Sequence, residues 1–330
     1  MDFRTKIQLP LGTFSVNQNQ LITLMGSCFA EEIGKRLESD KFSCDLNPFG
    51  VLYNPLSITK ALQQLMEGKV YEEKDLFFEG GLWHSWMHHS SFSARTSAEC
   101  LQRVNSRLLT GEKFFPNWRV LIITLGSNRY YRHRKTGQVV GNCHKVPEKE
   151  FEVKDLSVEE IVSAFLPILE RMHEANPGLR ILFTVSPIRY LKYGLHESML
   201  GKSVLLLAVD ELQKLHPEYV HYFPAFEIML DDLRDYRFYA EDMVHPSDVA
   251  VDYIYECFKA CYFDKTALEV SQEWKEIEKA LRHKPFNPDS EQYKLFIAKT
   301  KDKIGQLSQK YPLISVQKEL EQCNTILDKL

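Results

Sequence analysis

The chain has 330 residues, 44% hydrophobic and 26% charged, which is enough to bury a large core in one domain with an attachment, or in two. With 41 Lys and Arg against 45 Asp and Glu, the net charge is −4, so no strongly basic face is implied and nucleic acid is not an expected partner. No run approaches about eighteen uninterrupted apolar residues, and the start lacks the apolar core of a signal peptide. No membrane span is expected, and the chain reads as cytoplasmic unless a leader was removed.

The first strong element is Leu21-Ile22-Thr23-Leu24-Met25, an apolar run of strand length that stops at Gly26. After Ser27 the spacing turns helical, with Phe29, Ile33 and Leu37 four apart. Ser27 therefore falls at a strand-to-helix turn, where a hydroxyl stands beside the free N–H groups of a helix start. That place suits a nucleophile and also, more commonly, a serine N-cap. Cys28, one residue on, is expected inside the helix and turned toward the core. Asn47-Pro48-Phe49-Gly50 makes a turn in which Gly50 either brings its N–H close to a ligand or only serves the bend. Ile58, Leu62 and Leu65 then mark a short helix.

Three histidines and two tryptophans crowd into Trp83-His84-Ser85-Trp86-Met87-His88-His89-Ser90. The cluster lacks both H-x-x-x-H spacing and an acidic residue, so no metal is expected. It reads instead as a loop that covers a pocket with aromatic surface. Val120-Leu121-Ile122-Ile123-Thr124-Leu125 is a second buried strand, ending at Gly126-Ser127-Asn128, from which Asn128 can aim an amide N–H at the Ser27 turn. Residues 129–150 form an excursion with a hairpin around Lys135-Thr136-Gly137.

Ser157-Val158-Glu159-Glu160 is a capping box, opening a helix that Pro167 is expected to kink. Ile181 to Val185 is a third strand, ending at Ser186-Pro187-Ile188-Arg189, and Val220 to Phe223 a fourth. The alternation of strands and helices predicts a mostly parallel sheet with helices on both faces and a ligand at the carboxyl ends of the strands. Asp242 and His245 lie three apart in a late loop. That spacing lets the carboxylate hold one imidazole nitrogen and leave the other for a nucleophile's proton, or it merely prepares the next helix. From about residue 265 Lys and Glu rise and strand signals end, so the chain divides into an α/β domain, 1–264, and a helical extension, 265–330. The extension could pack back on the sheet domain, lid the pocket or form a homodimer. Seven scattered cysteines without a C-x-x-C pair are expected to be reduced.

Gly26-Ser27-Cys28-Phe29-Ala30 is the motif for which the GSCFA domain family is named. Asn47 to Gly50 with Tyr53-Asn54-Pro55, Asn142-Cys143-His144-Lys145, Ser186 to Arg189, Leu233 to Tyr239 and Asp242 to Ser247 resemble further segments of that family, in order. GSCFA domains in turn resemble SGNH, or GDSL-type, hydrolases, which have a three-layer α/β/α fold and mostly cleave esters. The resemblance implies that Ser27 is the nucleophile, His245 the base and Asp242 its orienting acid. It places Gly50 and Asn128 in an oxyanion hole. Two positions depart from the SGNH pattern: the first block reads Gly-Ser-Cys where Gly-Asp-Ser is usual, and Arg129 stands where an Asp is usual. The combined expectation is acyl-ester hydrolysis on a carbohydrate or related small substrate, without a cofactor, with Arg189, Asn142, His144 and Lys145 as substrate contacts. Cys28 as nucleophile, an O-acyltransferase with the same triad, and a non-catalytic glycan-binding module are the alternatives.

Overall fold

The computed structural model describes residues 4–328, leaving aside the side chains of 112–114. In chain order it contains β1 (Leu21–Gly26), α1 (Cys28–Ser39), β2 (Ser43–Leu46), α2 (Pro55–Met66), β3 (Leu76–Glu79), β4 (Leu82–Ser85), α3 (Ser97–Phe114) and β5 (Trp118–Leu125). Then come β6 (Arg129–His133), β7 (Val139–Val140), β8 (Phe151–Asp155), α4 (Val158–Ala175), β9 (Arg180–Val185), α5 (Leu195–Leu215) and β10 (Val220–Tyr222). The single turn α6 (Ala225–Glu227) is followed by α7 (Asp248–Tyr262), α8 (Lys265–Arg282), α9 (Glu291–Lys310) and α10 (Gln317–Leu327).

Parallel strands covered on both faces must be apolar on both, which is why β1, β5 and β9 read as continuous apolar runs. They pair in parallel with β2 and β10 in the order β10-β9-β5-β1-β2. Ile22 and Leu24 of β1 and Val120 and Ile122 of β5 pack against α1 and α7, through Phe29, Ile33, Leu37, Ile254 and Phe258. On the opposite face Met25, Leu121, Ile123 and Phe183 meet Ile58 and Leu62 of α2, Phe165 and Leu169 of α4 and Leu205 and Val209 of α5. The result is a three-layer α/β/α fold. Chain order reverses direction between β1 and β5, so the crevice at their carboxyl ends is the topological switch point.

β2 carries no sequence signal, because Ser43-Cys44-Asp45-Leu46 has no apolar run. It is an edge strand whose buried Asp45 is neutralised by Arg107 of α3. The capping box is present in both directions, Ser157 Oγ accepting from Glu160 N–H and Glu160 from Ser157 N–H, and α4 continues through Pro167. The excursion after β5 is a three-stranded antiparallel sheet, β7-β6-β8, whose hairpin turns at Gly137 with a φ of 68°.

Helices α8 to α10 share a core of their own around Trp274, Ile297, Ile304 and Leu307. They are tied to the turn between α1 and β2: Lys41 bonds Glu319 at 2.6 Å and lies over the Trp274 ring, and Asp40 accepts from Ser271 at 2.7 Å. That turn is at the amino end of the strands, so these contacts hold the extension away from the carboxyl edge. None of the described helices is long and apolar enough to cross a membrane.

The histidine-rich stretch is not a pocket cover. Trp86 stacks on Phe77 at 3.6 Å, and His88 is fully buried, stacked on Phe49 and bonded to Ser85 Oγ through Nδ1. The side chains turn inward because β3 and β4 form a small hairpin that needs a core of its own. Among the described residues no group of His, Cys, Asp and Glu is arranged to hold a metal. Burial pushes His88 down to about 3 and His144 to about 4 from the ordinary 6.5. Folded, these imidazoles bind protons less readily than unfolded, so stability is complete above about pH 6.5 and falls as pH drops from there toward 4. Each contributes a loss on the order of 3 kcal/mol at the acid end of that window. Urea midpoints at pH 7.5 and 4.5 test this, with His144→Gln expected to lose its share of the difference. Equal pH dependence in wild type and variant would show that other groups carry it.

Candidate active site

The Ser27 turn is built around a glycine that nothing else can replace. Gly26 closes β1 at a φ of 133°, and a Cβ there would lie 2.1 Å from the Thr124 carbonyl oxygen. Asn47 Oδ1 accepts the Gly26 N–H at 2.9 Å, and Leu52 N–H donates to Gly26 O at 2.9 Å, so the Asn-Pro-Phe-Gly turn grips the end of β1. Ser27 occupies the N-cap position of α1 in extended backbone but makes no capping bond. Its Oγ is buried without a hydrogen-bond partner, and its N–H donates to Thr124 O at 3.1 Å. Cys28 is the first residue of α1 and is partly exposed rather than turned into the core. Burial raises its thiol pKa, opposed by the N–H groups of Cys28 and Phe29 at the helix start.

Across the edge, His245 Nδ1 lies 2.6 Å from Asp242 Oδ2. The other carboxylate oxygen accepts the N–H of Val244 at 2.8 Å and of His245 at 2.9 Å, made possible by Met243 in the left-handed region. Those backbone donors, with the imidazole, hold Asp242 down at about 2. A carboxylate on Nδ1 selects the tautomer that leaves Nε2 as an acceptor. Both side chains are about half exposed, at 48% and 49%.

Two of the cavities at this edge hold the candidate nucleophiles. The larger, about 610 Å³, has Ser27, Gly126 and Ser186 among its lining residues, with Tyr53, Tyr131 and Tyr190 as aromatic walls. The smaller, about 250 Å³, brings Cys28 and His245 together with Glu32, Ile188 and Asp248. Ile188 lines both.

The GSCFA family model matches residues 21–258, and a second, described as the GSCFA domain protein C-terminal domain, matches residues 274–329. The chain belongs to the GSCFA family. No curated protein matches it. An acetyl xylan esterase (Est2A) from the rumen bacterium Butyrivibrio proteoclasticus is similar in structure at a TM-score of 0.34 and 11% identity, over 80% of this chain. The GSCFA chain spans 65% of that enzyme's length, and at this distance nothing about activity passes from one to the other.

Several residues expected at the site are placed differently in this GSCFA chain. The Gly50 N–H is spent on Asn47 O at 2.7 Å, inside a turn where a Cβ would strike His89. Asn128 donates to Leu156 O at 3.0 Å, holding the strand end to the loop before α4, and lines a small cavity beside Lys202 rather than the Ser27 or the Cys28 cavity. His144 is buried, its Nε2 donating to Ser85 O at 2.9 Å, because it belongs to the histidine core. Arg189 lies over the rings of Tyr236 and Tyr239 and donates to Met243 O at 3.3 Å, bracing the His245 loop, and lines a separate cavity of about 320 Å³ with Ile188 and those tyrosines. Asn142 and Lys145 do line the larger cavity. Sequence reasoning missed Lys202, which is buried at the same edge. Its signal was a lysine at helical spacing within the stripe of Leu205, Val209 and Leu212.

Proposed function

We propose that this GSCFA chain hydrolyses acyl esters, with Cys28 as nucleophile, His245 as general base and Asp242 orienting the imidazole. The observation that supports it is the shared cavity of Cys28 and His245, with Asp242 already fixed on the far nitrogen of the ring. His245 Nε2 takes the thiol proton as Sγ bonds the acyl carbon, and the carbonyl π electrons move to oxygen. The N–H groups of Cys28 and Phe29, which start α1 and have no carbonyl behind them, are the donors offered to that oxyanion. Collapse expels the alcohol, which leaves with the proton from His245. Water, deprotonated by His245, then attacks the thioester carbon; the C–S bond breaks, the acid leaves and the Cys28 sulfur recovers its proton from His245. The larger cavity, with tyrosine walls and the polar Asn142 and Lys145, suits the alcohol portion of a carbohydrate ester.

A second reading keeps Ser27 as the nucleophile, favoured by its unpartnered hydroxyl at the lining of the larger cavity. Labelling separates the two. Iodoacetamide on Cys28 is expected to abolish ester turnover. Fluorophosphonate labelling that disappears only in Ser27→Ala would transfer the role to Ser27. Neither label, together with no turnover of acetyl or short-acyl esters, would sink the hydrolase and leave a binding module.

A further inference from the structure

A side-chain amide carries an oxygen that accepts and an NH2 that donates, so a bond to the oxygen settles which end is left for a ligand. Asn54 caps α2, its Oδ1 accepting the Ser57 N–H at 2.9 Å. Asn142 Oδ1 accepts the His144 N–H at 2.8 Å. Both oxygens are thus spent on backbone donors, and neither Nδ2 has a hydrogen-bond partner among the described residues. Asn54 is only 5% exposed, and both residues line the larger cavity, so the acceptor that each NH2 lacks is one the cavity's occupant supplies. The two are neighbours in space. Ser57 Oγ, in the first turn of α2, donates to Val140 O at 3.1 Å, two residues before Asn142.

Charge on the same walls is uneven. Arg129 holds Asp155 through Nε and Nη2, both at 2.6 Å, and Lys192 holds Glu148 at 3.0 Å, whereas Lys145 has no acidic partner among the described residues. Its place is imposed. His144 and Lys145 both lie in the left-handed region, at φ of 47° and 62°, a pairing that non-glycine residues keep only where their surroundings enforce it. The buried His144 ring enforces it here, held by Ser85 O at 2.9 Å and Ser90 Oγ at 3.3 Å.

We infer that Asn54, Asn142 and Lys145 bind an oxyanion, a carboxylate or a phosphate carried on the alcohol portion of the substrate, so that the preferred esters are those of acidic sugars. This rests on the reading of the larger cavity as the seat of that alcohol portion. An oxyanion brings several acceptors and no proton of its own, and so answers two amide NH2 groups and an ammonium together. A neutral hydroxyl brings a proton as well, and both asparagine oxygens are already occupied.

The test is isothermal titration calorimetry on the full chain at low salt, with D-glucuronate, D-glucose 6-phosphate and D-glucose as probes. At least one anionic sugar is expected to bind about tenfold more tightly than D-glucose, with the advantage shrinking as salt rises. The tighter of the two tells carboxylate from phosphate. Asn54→Asp and Asn142→Asp keep the oxygen that each backbone N–H needs but place a repelling oxygen where the NH2 stood, so both are expected to fold and to lose the advantage. Lys145→Gln is expected to lower it about fivefold and Lys145→Arg to retain it. Anionic sugars that bind no more tightly than D-glucose, or that keep their advantage in both aspartate variants, overturn the inference, as does a failure of all three probes to bind. Calorimetry reads the site with no ester present, so normal turnover in Cys28→Ala would fail the proposed nucleophile without touching this result.

Discussion

Cys28→Ala is expected to lower kcat/KM for a short acyl ester by more than about a hundredfold, and His245→Ala by a similar factor. Both variants lose the same event, transfer of the thiol proton as the sulfur attacks, so the double variant should be little worse than either alone. Ser27→Ala is expected to stay within about tenfold, because its Oγ is sealed and its N–H is spent on Thr124. Asp242→Asn should fall between these, since it removes the tautomer selection while leaving the half-exposed imidazole in place. Asp242 stays ionised throughout the working range, held at about 2, so any acid limb of the rate profile belongs to another group. Ester turnover at equal protein concentration, with circular dichroism as the folding control, decides. A hundredfold loss in Ser27→Ala beside a mild effect in Cys28→Ala would exchange their roles.

Gly26→Ala is expected to be among the most damaging single-methyl additions in the chain. The backbone φ of 133° alone costs an L-residue about 1–3 kcal/mol, and the new methyl meets a peptide oxygen of β5 rather than a movable side chain. Relief requires β1 to move away from β5, which breaks the pairing at the switch point and carries Ser27 and Cys28 with it. A destabilisation of at least about 3 kcal/mol follows, read as the drop in urea midpoint. Gly137→Ala is the control: its φ is also left-handed, at 68°, but open space surrounds the new methyl, so roughly 1 kcal/mol is expected. Equal midpoints in the two variants would show that the Thr124 contact relaxes without cost.

Much of the architecture was legible in order along the chain. Strands β1, β5 and β9 announce themselves because both of their faces are buried, leaving no polar alternation to confuse them with a surface helix. β2 was silent, since an edge strand with a buried Asp45 looks like a turn until Arg107 of α3 is seen to pair with it. The Asp242–His245 pair was legible as well, because three residues of local chain suffice to close its hydrogen bond. The misplaced donors were not. Asn128 donates its amide to Leu156, 28 positions away, which no local pattern shows, while the Gly50 N–H closes its own turn on Asn47, one of the two readings the turn had left open.

By itself, then, the sequence determined the elements, the edge at which they converge and the family motif that marks it, because apolar periodicity, caps and glycine turns are local properties. Only the tertiary structure decided which of the two neighbours, Ser27 or Cys28, shares a cavity with His245. Ser27 is the extended N-cap and Cys28 the first helical residue, and where α1 docks on the sheet the two line different cavities. The same holds for Lys202, whose Nζ meets the carbonyls just past β5 and β9, 76 and 16 residues earlier in the chain, only because α5 packs across the sheet.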